Sequence, residues 1–433
     1  MRARIVECSN ASGSVRATPS LWDSMVKIVT VAVRGGGEVD NVRRESRCIR
    51  GLLRALQGLG YRVDWVSSTR VSLQEDESQA QARITIDTSC GLLAPGLVAP
   101  LAAVRLPPGG QLVVRGASEH IIPLSVRHVI EAVIAVGGRA WPGGSLSRLV
   151  VVEPSAYSPR GRIARLYSPP GFIAAGVVAA LAAAGGGRLI TYGTGVRGAK
   201  RMTAMIRALR LAGFEVAENS TGMLVTPASN GSETLTAEPG IHEAALLMAL
   251  ASPCIGGEIL LEGLPNRDED LSGLEYMLKA TGFNVERKCS NSSCSIRVDS
   301  FEPASTVIAV HDDPGFTLFG IAYTASWSRL AVSGLRVAAL EGLVDNKLDV
   351  FLQQLGVSAF YENDSDKLVA KAEEPKEPRR RLLECSEPAY CVAALARLLR
   401  VGDGVVEGVE RIDDAAPGVL EALISLGVGV DIA

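Results

Sequence analysis

Six amphipathic segments, each closed by a glycine, recur along this chain of 433 residues. LLRALQGLG ends at Gly60, VIEAVIAVG at Gly137, MIRALRLAG at Gly213, LEYMLKATG at Gly282, LDVFLQQLG at Gly356 and VLEALISLG at Gly427. Apolar residues at helical spacing followed by glycine predict a helix that stops in left-handed backbone, where a residue without Cβ fits best. The interval of roughly 70 residues exceeds that of solenoid repeats, which run to about 50. Short β-prone runs follow most of the six (YRVDWV, FEVAE, FNVER, VGVDI), and others lie between them (RLVVVE, RLITYG, EILLEGL, STVIAVH). Strands alternating with helices predict an α/β chain of six βαβ-type units, grouped as two globular halves of three.

Charge narrows the function classes. Forty-four basic and 47 acidic residues leave a net charge of −3, so no global field attracts nucleic acid or an anionic membrane. The longest apolar run, GFIAAGVVAALAAAGGG, is short for a membrane span and reads as a buried helix ended by glycines. No charged and apolar leader opens the sequence, so a cytoplasmic protein is expected. The eight cysteines lack CxxC spacing and are expected to be idle thiols, with disulfides reserved for a hyperthermophilic source. Four histidines, among them His120 and His128, without a Glu partner at ligand spacing argue against a metal site, and no cofactor is expected. The charged segment 361–384 reads as a solvated hairpin and loop.

Particular stretches resemble the enolpyruvyl transferase family, and within it the branch that serves the shikimate pathway of aromatic amino acid biosynthesis. SGSVRATPSLWDSMVK is similar to the family's opening strand and its P-x-S-K-S-x-S/T-x-R loop and helix. GLVAPLAAVRL, IIPLSVRHVIEAVIAVGG, SPPGFIAAGVVAALA, PGIHEAALLMALA, DDPGFTLFGIAYTA, LRVAALEGLVDN and DDAAPGVLEALISLG then resemble its later segments in order. The resemblance implies a two-domain fold with three units per domain, helices buried beneath sheets, and ligands in a cleft between the domains. It places residues 1–18 plus 228–433 in domain I and 19–227 in domain II.

The family transfers the enolpyruvyl group of phosphoenolpyruvate to a hydroxyl and releases phosphate. That chemistry needs fixed cations for phosphates and carboxylate, and positioned groups that accept and deliver protons. Most of the residues the resemblance would supply are replaced. The family's first-loop lysine and serine fall on Leu21 and Trp22, and its helix arginine on Val26. Further arginines fall on Ala99 and Ile122, and the S-S-Q triplet becomes Pro169, Pro170 and Gly171, with Ser168 one step earlier. The aspartate of D-x-S-S falls on Gly240, the late lysine and arginine on Leu340 and Val344, and the last lysine on Asp414. Ser386, Glu387 and Pro388 stand at the D-H-R segment, and Lys27, Arg44 and Arg127 are the nearest displaced cations.

Among the polar residues that remain, Glu341, His242 and Glu243 are the candidate acid–base groups. Ser20, Ser24, Ser168, Lys200 and Arg201 are the candidate substrate contacts, the last two as an anion holder at a helix start. Asp312 and Asp313 form a further candidate carboxylate pair in HDDPG. Removing one desolvated charge partner of an anion costs about 2–5 kcal/mol, and removing a positioned acid or base costs about 10²–10⁴-fold in rate. The expectation is therefore a catalytically degenerate relative with a binding or regulatory role, with a small anionic metabolite and a protein of the shikimate pathway as its partner classes. The alternatives are an enzyme of this fold acting on another small anionic substrate, and a highly divergent but active synthase.

Overall fold

The computed structural model describes residues 1–5, 10–116, 123–145, 148–154, 162–193, 195–219, 222–227, 231–345, 347–362, 366–371, 376, 378 and 381–432. The chain divides into two compact units. The first holds Met1–Ser20, Glu238–Ala338 and Leu343–Ala433, and the second holds Leu21–Ala237 with Ala339–Gly342.

One unit of the pattern shows how the sequence builds the second body. Strand Arg162–Tyr167 leads into helix Gly171–Ala183, then the parallel strand Gly187–Tyr192, helix Ala199–Leu211, and the hairpin Glu215–Asn219 and Gly222–Thr226. The four strands form one sheet. Arg83–Asp87, Leu93–Arg105, Gln111–Arg115, Pro123–Ala135, Arg139–Ser145 and Arg148–Glu153 repeat the order in a second sheet. In the third, Thr234–Thr236 pairs parallel to Gly36–Asp40 and supplies the first strand from the far end of the segment. The first unit likewise contains three four-stranded sheets, one of which takes Ala11–Arg16 as a parallel strand beside Ile255–Leu264.

Each unit has a core of three largely buried helices. In the second these are Leu21–Arg34, Leu93–Arg105 and Gly171–Ala183. In the first they are Ile241–Ala251, Thr317–Trp327 and Pro388–Val401. A helix that is apolar around its whole circumference has no solvent face, so it settles beneath the sheets and helices that surround it. Helices Leu93–Arg105 and Gly171–Ala183 approach at Gly96 and Gly176, where a Cβ on Gly176 would lie 2.0 Å from the Gly96 carbonyl oxygen. The six repeat glycines all take positive φ, from 79° at Gly427 to 103° at Gly282. Among the described residues no helix is long and apolar enough to cross a membrane.

The cysteines overturn the expectation of idle thiols. Cys289–Cys294 and Cys385–Cys391 are disulfides, and Cys48 and Cys254 are disulfide-bonded as well. The first pair follows from hairpin register: Cys289 and Cys294 are direct partners where Phe283–Cys289 turns back into Cys294–Phe301, so side chains on one face of the ladder meet. No sequence motif is needed for that encounter.

Candidate functional site

The sequence-nominated residues fall into two clusters, one in each unit. In the second unit, helix Leu21–Arg34 buries Leu21, Trp22 and Val26. Trp22 donates its indole N–H to the Arg201 carbonyl at 3.0 Å, and the Arg201 guanidinium lies over the Trp22 ring, 5.2 Å from its centroid. The same guanidinium makes a two-pronged contact with Glu341. Arg201 Nε donates to Oε1 at 3.0 Å and Nη2 to Oε2 at 2.8 Å, with Arg201 6% and Glu341 1% exposed. A planar fork facing a carboxylate satisfies both oxygens at once. The candidate anion holder and the candidate acid thus consume each other's charge.

Lys27, the nearest displaced cation, is also committed internally. It is buried, 2.7 Å from Asp23 Oδ2 one turn earlier and 2.6 Å from the Thr236 carbonyl oxygen. A buried ammonium requires such partners, because an uncompensated charge in an apolar core is prohibitively costly.

The segment that resembles the S-S-Q triplet offers few donors. Ser168 N–H bonds to the Tyr192 carbonyl at 2.8 Å, Pro169 and Pro170 have no N–H, and Gly171 N–H bonds to the Arg197 carbonyl at 2.6 Å. Arg197 N–H returns to the Pro169 carbonyl at 3.0 Å, and its Nε donates to the Ser168 carbonyl at 3.1 Å. The backbone donors of residues 168–171 are therefore spent inside the protein. Ser168 holds φ of 40°, a left-handed conformation uncommon outside glycine.

His128 supports this clamp. Arg197 Nη2 lies 3.1 Å from His128 Nε2, and His128 Nδ1 lies 3.3 Å from Glu131 Oε2. A guanidinium only donates, so Nε2 accepts and the ring is neutral with its proton on Nδ1. Burial lowers the His128 pKa, Arg197 and Arg127 lower it further, and Glu131 opposes them. Lys200 is half-buried in the first turn of the helix that carries Arg201, and Ser24 is buried inside helix Leu21–Arg34.

In the first unit, His242 and Glu243 open helix Ile241–Ala251. His242 Nε2 is 2.8 Å from Asp313 Oδ1, and its ring meets Phe316 edge-on at 4.6 Å. Gly315 lies flat against the imidazole, for a Cβ there would sit 2.5 Å from Cε1. Glu243 is buried against Gly240, where a Cβ would come 1.8 Å from Oε2. Ser20 donates its N–H to the Glu238 carbonyl at 2.8 Å, and Gly240 donates to the Thr18 carbonyl at 2.7 Å. Asp312 and Asp313 do not act as one pair: Asp312 faces exposed His311 at 2.9 Å, whereas Asp313 faces His242. His120 and Ile122 lie outside the described residues.

Sequence reasoning did not single out Arg197. Its signal is the GVRG context, an arginine just before Gly198, which takes φ of 67° at the start of the Arg201 helix. Among the described residues, no group of three or more His, Cys, Asp or Glu could hold a metal ion.

No protein-family model matches the chain, and no curated protein matches it. Solved structures do. EPSP synthase from Acinetobacter baumannii is similar over 100% of this chain and 99% of its own, with a TM-score of 0.68 and 14% identity. A second structure of that synthase gives 0.66 at 12% identity, covering 100% of both chains. The enolpyruvyl transferase NikO from Streptomyces tendae gives 0.66 at 12% identity, covering 99% of this chain and 98% of that one. Along its whole length, the chain has the two-domain fold of the enolpyruvyl transferases.

Proposed function

We propose that this protein is a catalytically degenerate relative of EPSP synthase that serves a binding or regulatory role, with a small anionic metabolite or a shikimate-pathway protein as its partner. The carrying observation is the buried Arg201–Glu341 pair beneath Trp22. An arginine that holds a substrate anion must present its fork to the ligand. Here an internal carboxylate occupies both prongs, and Leu21, Trp22, Val26 and Leu340 stand where the family carries charge and hydroxyl. The test is the family reaction, with phosphoenolpyruvate and shikimate 3-phosphate supplied and released inorganic phosphate measured. No release above the protein-free control is expected, and turnover at ordinary enzyme rates contradicts the reading.

A second reading, an enzyme of this fold acting on a different small anionic substrate, is favoured by the His242–Asp313 contact at 2.8 Å. A carboxylate close beside an imidazole is a usual acid–base arrangement. Phosphate release from phosphoenolpyruvate with another small anionic hydroxyl-bearing acceptor, absent with shikimate 3-phosphate and lost in His242→Ala, would support this reading over the first.

A further inference from the structure

One sheet face of the second unit differs in chemistry from the others. The outer face of the sheet containing Gly36–Asp40 is laced with ion pairs, Arg70 with Asp40 at 3.0 Å and Arg62 with Asp64 at 2.7 Å. In the first unit the sheet containing Cys294–Phe301 does the same through Arg297 and Glu258 at 2.6 Å. The sheet of Arg162–Tyr167, Gly187–Tyr192, Gly222–Thr226 and Glu215–Asn219 presents a more aliphatic and aromatic outer face on the first three of these strands. Its inward positions Ala164, Leu166, Leu189, Met223 and Val225 are buried. The alternate positions present Ile163, Arg165 and Tyr167 on the first strand, Arg188 and Tyr192 on the second, and Leu224 on the third.

Register joins these side chains into one surface. Ile163 is beside Arg188, which is beside Leu224, and Tyr167 is beside Tyr192. Tyr167 is 71% exposed, and Ile163, Tyr192 and Leu224 are exposed too. No outward position of the three strands carries a carboxylate. Tyrosine and arginine amid aliphatic groups are the composition of protein–protein contact centres.

The surface also has an open edge. Arg162–Tyr167 ends its sheet, pairing only with Gly187–Tyr192 among the described residues. It contains no proline, lysine or register shift, the usual devices that discourage strand addition. A segment laid along this edge would place alternate side chains opposite Ile163, Arg165 and Tyr167.

We propose that this face docks an extended acidic segment of a partner protein by strand addition, independently of the functional reading above. The segment carries an aliphatic residue, then Asp or Glu, then a second aliphatic residue at alternate positions. The carboxylate faces Arg165, and the aliphatic groups cover Ile163 and Tyr167. Charge complementarity selects this occupant, since the edge strand presents Arg165 and no acid, and Glu215 lies on the strand at the opposite edge of the sheet. The chain's net charge of −3 and the aliphatic stripe argue against a phosphate backbone.

The test uses the full chain and a short fluorescein-labelled peptide alternating threonine with isoleucine, glutamate and valine. Saturable anisotropy is expected, with no comparable binding when lysine replaces the glutamate. Arg165→Glu should weaken the glutamate peptide about tenfold or more and reverse the preference toward lysine. Tyr167→Ala should weaken both. These positions are on the surface, so unchanged thermal melting checks that the variants fold. Absence of saturable binding, or equal binding of the two peptides, overturns the proposal. So does tighter binding of a single-stranded oligonucleotide at the same residues, or a dimer in sedimentation that Tyr167→Ala abolishes.

Discussion

Arg201 and Glu341 are 140 positions apart in sequence and meet through two parallel hydrogen bonds in the second unit. Glu341 lies in the short segment Ala339–Gly342, which belongs to that unit while its neighbours on both sides belong to the other. Such a pair is only moderately stabilising, because desolvation of two ions offsets most of their attraction. Breaking it from one side is another matter. Glu341→Ala or Arg201→Met should each lower unfolding free energy by about 3–5 kcal/mol. The double variant Arg201→Met with Glu341→Leu should lose much less than the sum, since it leaves no orphaned charge. Urea melts of the four proteins measure this, and additive losses would show that the two residues act independently.

Trp22 connects the start of its own helix to the Arg201 turn through one N–H and one ring face. Trp22→Phe keeps most of the apolar volume and removes the donor, so it should cost about 0.5–1.5 kcal/mol. Trp22→Ala should cost about 3–5 kcal/mol, as expected for a large buried aromatic. Denaturant titrations distinguish the two, and equal losses would mean that the hydrogen bond, rather than packing, carries the contact.

His128 predicts an acid-side loss of stability. Its folded pKa is below the ordinary value of 6.5, chiefly through burial. Its contribution is therefore fully present above that unfolded value and declines as pH falls below it through the folded value. Protonation would set an imidazolium 3.1 Å from the Arg197 guanidinium and release the clamp on Ser168. Unfolding free energies at pH 7.5 and pH 5 should differ more for the natural protein than for His128→Gln. An identical pH dependence in the two would remove His128 as the source.

The two mapped disulfides close loops with sequence separations of 5 and 6. Loops of that size are worth about 2 kcal/mol each in the chain-entropy account. Reduction should therefore lower the melting temperature while leaving the far-ultraviolet spectrum native at room temperature. Thiol titration of Cys289, Cys294, Cys385 and Cys391 by peptide mapping should find none reactive before reduction, and labelling of any of them would contradict the pairing.

Sequence pattern carried the architecture further than the site. Gly60, Gly137, Gly213, Gly282, Gly356 and Gly427 could be read as helix ends because a local backbone requirement selects glycine, and each takes positive φ. The helix at 171–183 was legible from its apolar run alone. Glu341 and Arg201 were legible only as separate candidates, because their pairing depends on where a distant segment returns in space. The same holds for His242, whose partner is Asp313 rather than its neighbour Glu243. Cys289 and Cys294 eluded motif reasoning because hairpin register, not a ligand or redox spacing, brings them together.

The Arg201 charge is consumed within the protein by the Glu341 carboxylate. Calorimetric titration of phosphoenolpyruvate into the natural protein and into Arg201→Met tests it most directly. The substitution should leave the heats unchanged, because Glu341 already occupies the guanidinium. Saturable binding to the natural protein that disappears in Arg201→Met would contradict it.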